Sequence, residues 1–143
     1  LEAMTRSNAE AARILRAHGA RAMTDVSGFG LLGHLAEMLA GALGARLRLG
    51  AIPVSDGVAG LAAAGHASSL LPENALLLRH LADAAACDAP WRRIILDPQT
   101  AGGLLAAVPS EQADRVLQAL AAAGYDAAEE IGAIEREPGI RLA

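Results

Sequence analysis

Short apolar runs of period two and longer stretches of helical spacing follow one another along this chain. They do so without the strict strand-helix-strand rhythm of a parallel sheet, and this constrains the fold more than any other feature. Ser7-Asn8-Ala9-Glu10 has the form of a capping box, and Ala11, Ile14, Leu15 and His18 share one helical face before Gly19. An extended segment from Ala20 to Met23 runs into the polar stretch Thr24-Asp25-Val26-Ser27. Gly28-Phe29-Gly30 then leads into a second helix with Leu31, Leu32, Leu35, Met38 and Leu39. Arg46-Leu47-Arg48-Leu49 alternates as a strand with one solvated face, and Asp56 is expected to cap a short helix ending at Gly65. Pro72-Glu73 should open a helix through Leu77, Leu81 and Ala84 that stops near Asp88 and Pro90. Arg93 to Leu96 and Leu104 to Val108 read as strands flanking a polar turn. Ser110 is expected to cap a helix carrying Ala113, Val116, Leu117, Leu120 and Ala121, with Gly124 just past its end. Ala127 to Ile134 and Ile140 to Leu142 are candidate closing strands. The sum is an α+β fold, a mixed β-sheet covered by helices.

A length of 143 residues fits a single domain over residues 1–143. The core must be aliphatic, because the 53% apolar content includes only one Trp, one Tyr and one Phe. A net charge of -4 argues against nucleic acid as a partner, since backbone phosphates demand a concentrated basic surface. All 12 basic residues are Arg, so any step that needs a Lys must be supplied from elsewhere. Cys87 stands alone, which rules out an internal disulfide and suits a cytoplasmic setting; among Ala residues it reads as core filler. His34 and Glu37 interrupt the most hydrophobic stretch, so no membrane span is expected. Leu1-Glu2-Ala3-Met4 is neither an initiator start nor a secretion signal, and reads as a cut from a longer chain.

Chemistry concentrates in two loops. Thr24, Asp25 and Ser27 precede Gly28 and Gly30 where an extended segment meets a helix N-terminus. Such a place suits a phosphate with its Mg²⁺: free N–H groups and the helix dipole favour the anion, and a carboxylate can hold the metal. The same residues also suit a plain helix cap and turn. Gly28-Phe29-Gly30-Leu31-Leu32-Gly33 matches a dinucleotide fingerprint, but the polar stretch replaces the required apolar strand and Asp56 lies too far on. In the second loop, Asp97-Pro98-Gln99-Thr100 is a standard turn start, while Gly102-Gly103 before a strand allows close approach of a ligand or another backbone. The four histidines show no zinc spacing; His34 with Glu37 at i, i+3 reads as a helix-surface pair rather than a metal site.

Taken together, Thr24-Asp25-Val26-Ser27-Gly28-Phe29-Gly30-Leu31-Leu32-Gly33-His34-Leu35 and Asp97-Pro98-Gln99-Thr100-Ala101-Gly102-Gly103-Leu104-Leu105 resemble the C-terminal domain of the selenophosphate synthetase (selenide, water dikinase) family. The likeness extends over nearly the whole chain. It implies the fold shared with the C-terminal domain of aminoimidazole ribonucleotide synthetase. It also implies an N-terminal domain, absent here, that carries the catalytic Cys or selenocysteine and the Lys. In the family, ATP, selenide and water become selenophosphate, AMP and phosphate. On that resemblance Asp25 is the expected metal ligand for Mg²⁺, and Thr24, Ser27, Gly28, Gly30, Gly102 and Gly103 shape the ATP site shared with the absent domain. The parent is expected to be a homodimer. Thiamin-monophosphate kinase, a hydrogenase maturation factor and a purine-synthesis ligase remain open within the superfamily, as does a purely structural or dimer-supporting module. Two positions depart from the family pattern: Ser27 replaces the usual Thr and keeps its hydroxyl, whereas Ala101 replaces the usual Ser and loses it.

Overall fold

The computed structural model describes residues 2–143, with side chains from residue 4 onward; Leu1, part of the truncated-start reading, lies outside them. A brief turn of helix α1 (Glu2–Thr5) precedes α2 (Ala9–Ala17), whose Ala11, Ile14 and Leu15 are buried. The expected capping box does not form. Ser7 Oγ accepts from the Ala9 N–H at 3.2 Å, Glu10 pairs with Arg13, and the Asn8 amide is drawn away to the Gly102 carbonyl at 3.1 Å.

Strand β1 (Ala22–Asp25) is followed by α3 (Gly30–Leu39), β2 (Gly44–Leu47), a 3-10 turn over Leu49–Ala51 and α4 (Val58–Ala63). Gly57, with φ of 83°, occupies the position before α4, so Asp56 is not its cap. The helix expected from Pro72 to Ala84 stops early: α5 (Leu71–Asn74) passes into 3-10 turns at Ala75–His80 and Ala84–Ala86. The reason is tertiary. Leu81 leaves the helical region to bridge Ile140, where the Ala82 N–H donates to the Ile140 carbonyl at 2.8 Å.

Arg93 to Leu96, expected as a strand, is the end of helix α6 (Ala89–Leu96). Asp88 and Pro90 open this helix rather than close the one before it. Asp88 Oδ1 accepts from the Trp91 N–H at 2.9 Å, and Pro90 in the first turn has no N–H to leave unsatisfied. The chain then forms β3 (Leu104–Ala107), a 3-10 turn at Ser110–Gln112, α7 (Ala113–Ala122), β4 (Gly132–Glu135) and β5 (Gly139–Leu142). Ser110 therefore sits one short turn ahead of α7 and does not cap it.

The strands make two sheets. β1 and β3 form an antiparallel ribbon in which Asp25 lies opposite Leu104 and Thr24 opposite Leu105. β2 lies between β4, antiparallel, and β5, parallel. Successive strand residues point to opposite faces, so the ribbon separates two aliphatic clusters. Leu105 belongs to the larger one with Leu32, Leu47, Ile95, Leu96 and Ile140, while Met23, Leu104 and Ala106 lean on α2 and α7 through Ile14, Leu15, Val116 and Leu120. Cys87 is buried in the larger cluster, as expected of core filler, and burial pushes its thiol pKa up. The fold is α+β with a mixed sheet.

Glycine 102 lets the ribbon's ends close. A Cβ there would overlap the Val26 carbonyl oxygen, whereas one on Gly103 would meet nothing within 4 Å. Ile95→Ala is expected to lower unfolding free energy by about 2–5 kcal/mol. Gly102→Ala should lower it by roughly 1–3 kcal/mol through forced backbone movement, and Gly103→Ala by no more than about 0.5 kcal/mol. Urea titrations monitored by circular dichroism check all three; equal values for the two glycine variants would contradict the packing described.

Candidate functional site: two interlocked glycine loops

The loops following β1 and preceding β3 are bonded into one unit. The Val26 N–H donates to the Gly103 carbonyl at 3.0 Å, extending the ribbon by one rung, and the Gln99 N–H donates to the Ser27 carbonyl at 3.0 Å. The same Ser27 carbonyl accepts from the Gly30 N–H at 3.0 Å as α3 begins. Helix α6 forms the shelf beneath. Gly30, at φ 65°, is pressed against it so closely that a Cβ would lie 2.7 Å from the Leu96 carbonyl carbon.

Asn74 completes the assembly. The residue is 6% exposed, and its Nδ2 donates both to the Gly28 carbonyl and to the Leu96 carbonyl, each at 2.9 Å. One buried amide thus ties loop, shelf and α5 together and satisfies the Leu96 carbonyl, which would otherwise be costly to bury. From the other side, Asn8 reaches the Gly102 carbonyl. The first loop is also anchored through Ser27, whose Oγ lies 3.1 Å from His34 Nε2.

All seven residues anticipated from the sequence lie on these two loops or at their strand ends, but their surroundings differ. Asp25 is exposed at the last position of β1, and Thr24 Oγ1 donates to the Asp25 carbonyl at 3.0 Å. Gly28 and Gly103 are exposed, and a Cβ on either would meet nothing within 4 Å, so their bare backbone borders open space. Gly30 is buried under the loop and Gly102 is wedged against Val26, so these two serve packing between the segments.

A cleft of about 520 Å³ opens beside the loops, lined by Val26, Asp97, Gln99, Gly102 and Gly103 together with Arg93. Strand alternation puts Val26 on this side and Asp25 on the opposite face. The carboxylate and the cleft are therefore neighbours across the ribbon rather than parts of one cavity. Among the described residues no three His, Cys, Asp or Glu side chains gather as a ready metal cage. None of the described helices is long and apolar enough to cross a membrane.

Asn8, Asn74 and His34 were not anticipated as site-forming. His34 does pair with Glu37, Nδ1 to Oε2 at 3.2 Å, but from a buried position rather than from the helix surface. Asn74 leaves one sequence signal, a lone amide directly ahead of the apolar run Ala75 to Leu78. Asn8 left none, because at a helix start its side chain already has a local use.

The whole chain, residues 1–143, matches the family model described as AIR synthase related protein, C-terminal domain. Among curated proteins it is 43% identical over 124 residues to a selenide, water dikinase of Cronobacter sakazakii, covering 85% of this chain and 34% of that one. It is 39% identical over 143 residues to the selenide, water dikinase of Carboxydothermus hydrogenoformans, covering 97% of this chain and 40% of the relative. The chain thus spans about two fifths or less of these relatives. Among solved structures it superimposes on E. coli HypE, a hydrogenase maturation protein, with a TM-score of 0.69 at 22% identity, covering 98% of this chain and 37% of that one. That likeness carries the fold. The chain is a member of the AIR synthase related protein, C-terminal domain family.

Proposed function

We propose that this domain helps to bind Mg-ATP for ATP-dependent synthesis of selenophosphate from selenide. It would do so as one domain of a longer, cytoplasmic, homodimeric protein whose N-terminal domain shares the nucleotide. The observation that carries the reading is the interlocked pair of loops, which holds the exposed Asp25 at the end of β1, next to the Val26–Gly103 rung, and leaves Gly28 and Gly103 with open backbone.

The donor set fits magnesium in the form that accompanies nucleotides. Mg²⁺ is held in such sites by one or two carboxylates with the phosphates and water completing its shell, not by an all-protein cage. The first loop offers one such carboxylate, Asp25, with the Ser27 hydroxyl two residues on, and no three metal-ligating side chains gather among the described residues. Bound there, the metal would neutralise charge on the transferring phosphoryl group. Asp25 would fix its position, Thr24 and Ser27 would shape the loop, and the exposed backbone of Gly28 and Gly103 would let phosphate oxygens approach. Gly30 and Gly102 would act at one remove by setting the loop's shape. With the nucleotide shared between domains and no Lys in the chain, the domain alone should show no turnover.

Selenide is favoured over the other substrates of the superfamily because the named relatives at 35–43% identity are selenide, water dikinases. The likeness to HypE rests at 22–24%. In the full-length protein, Asp25→Ala is expected to reduce ATP-dependent selenophosphate formation by roughly two to three orders of magnitude, the scale of losing one preorganised electrostatic partner. Its circular dichroism should be unchanged. Normal turnover by a folded Asp25→Ala protein would remove that residue from the site.

A further inference from the structure

Ser27, His34 and Glu37 form a line that starts in the glycine loop, passes through the core and returns to solvent. Ser27 Oγ lies 3.1 Å from His34 Nε2, and His34 Nδ1 lies 3.2 Å from Glu37 Oε2. The imidazole side chain is 9% exposed and the Glu37 side chain 63%. Phe29 packs on the ring with centroids 5.7 Å apart, and the missing side chain of Gly33 leaves Phe29 the room to do so. The ring is therefore held in place while the carboxylate is free to turn.

Among the described residues, His34 Nδ1 is the one buried side-chain nitrogen or oxygen that lacks an aligned hydrogen-bond partner. Glu37 stands at ion-pair distance from it but off the hydrogen-bonding direction, and a small rotation of that solvated carboxylate would align the two. A neutral imidazole carries one proton. On Nε2, it would leave the bare lone pair of Nδ1 facing a carboxylate that can only accept. On Nδ1, it meets Glu37, and Nε2 becomes an acceptor for the Ser27 hydroxyl.

We infer that Glu37 fixes His34 as the Nδ1–H tautomer and that His34 is a positioning residue which takes the Ser27 hydroxyl proton as a hydrogen bond. The hydroxyl then turns its lone pairs, not its proton, to the mouth of the loop. Its backbone cannot compensate, because the Ser27 carbonyl already accepts from the Gly30 and Gln99 N–H groups. A hydroxyl so fixed serves a cation or the cation's bound water and is a poor partner for a phosphate oxygen. Naming that cation as magnesium rests on the Mg-ATP reading above; the tautomer does not.

Selective ¹⁵N-histidine labelling of the full-length protein in alkaline buffer, without metal or nucleotide, tests the first half. The His34 signal, identified by its loss in His34→Gln, is expected to show a protonated Nδ1 and a pyridine-type Nε2. Glu37→Lys, a change at an exposed position that offers Nδ1 a donor, should invert the pattern. A protonated Nε2 in the unaltered protein, or no inversion in Glu37→Lys, would overturn the inference. Mn²⁺ titration in the presence of ATP, followed by electron paramagnetic resonance, tests the second half. Ser27→Thr should retain the affinity and Ser27→Ala should lose roughly tenfold or more. Equal affinity in both Ser27 variants, with binding lost in Asp25→Ala, would overturn the inference and leave the Mg-ATP reading standing. Unchanged binding in Asp25→Ala would overturn that reading instead, while the tautomer result is decided independently.

Discussion

The close approach of Gly102 to the Val26 carbonyl, where no side chain larger than hydrogen fits, is the contact on which the rest of the site depends. It allows the Val26 N–H to reach the Gly103 carbonyl and the Gln99 N–H to reach the Ser27 carbonyl, so two segments more than seventy residues apart behave as one loop pair. Backbone groups satisfy each other here, which leaves Asp25 and the bare faces of Gly28 and Gly103 turned outward. A turn held only by its own residues would have no such constraint on where its carboxylate sits.

The supporting shell has the same logic. Helix α6 can lie directly beneath the first loop because Gly30 has no side chain, and Asn74 joins loop to shelf with two hydrogen bonds from one amide. Gly30 and the Asn74 amide are both buried, so the first loop is backed directly by α6. Preorganisation of this kind is what positioning chemistry requires, since phosphoryl transfer leaves little for a protein to do beyond placing charges. The aliphatic clusters on either face of the β1–β3 ribbon hold that assembly from behind.

Much of this was legible in the sequence, and the exceptions have physical causes. The patterns of α2 and α7 are readable because each buries one face, and that of α3 because its apolar run is buried on nearly every side. The end of α6 is ambiguous in sequence because Ile94-Ile95-Leu96 looks the same in a buried helix as in a buried strand; the deciding signals are Asp88 and Pro90, which suit the start of one helix as well as the end of another. The extent of the Pro72 helix was decided by a remote pairing, Leu81 with Ile140, that no local pattern announces. In the site, the loop residues stood out by type and spacing. That Gly30 and Gly102 serve packing while Gly28 and Gly103 stay open could be seen only once the neighbours were in place. His34 is hidden for a similar reason: its partner Ser27 lies seven residues back, before the helix begins and across the glycine bend.

The proposed function requires the two loops to act as a single receptor for a metal-bound phosphate. Hydrogen–deuterium exchange on the full-length protein, with and without Mg-ATP, tests this most directly by following the backbone amides of residues 24–30 and 97–103. Joint slowing of exchange in both segments is the result the account predicts. Slowing in neither segment, or in one while the other is untouched, would contradict it.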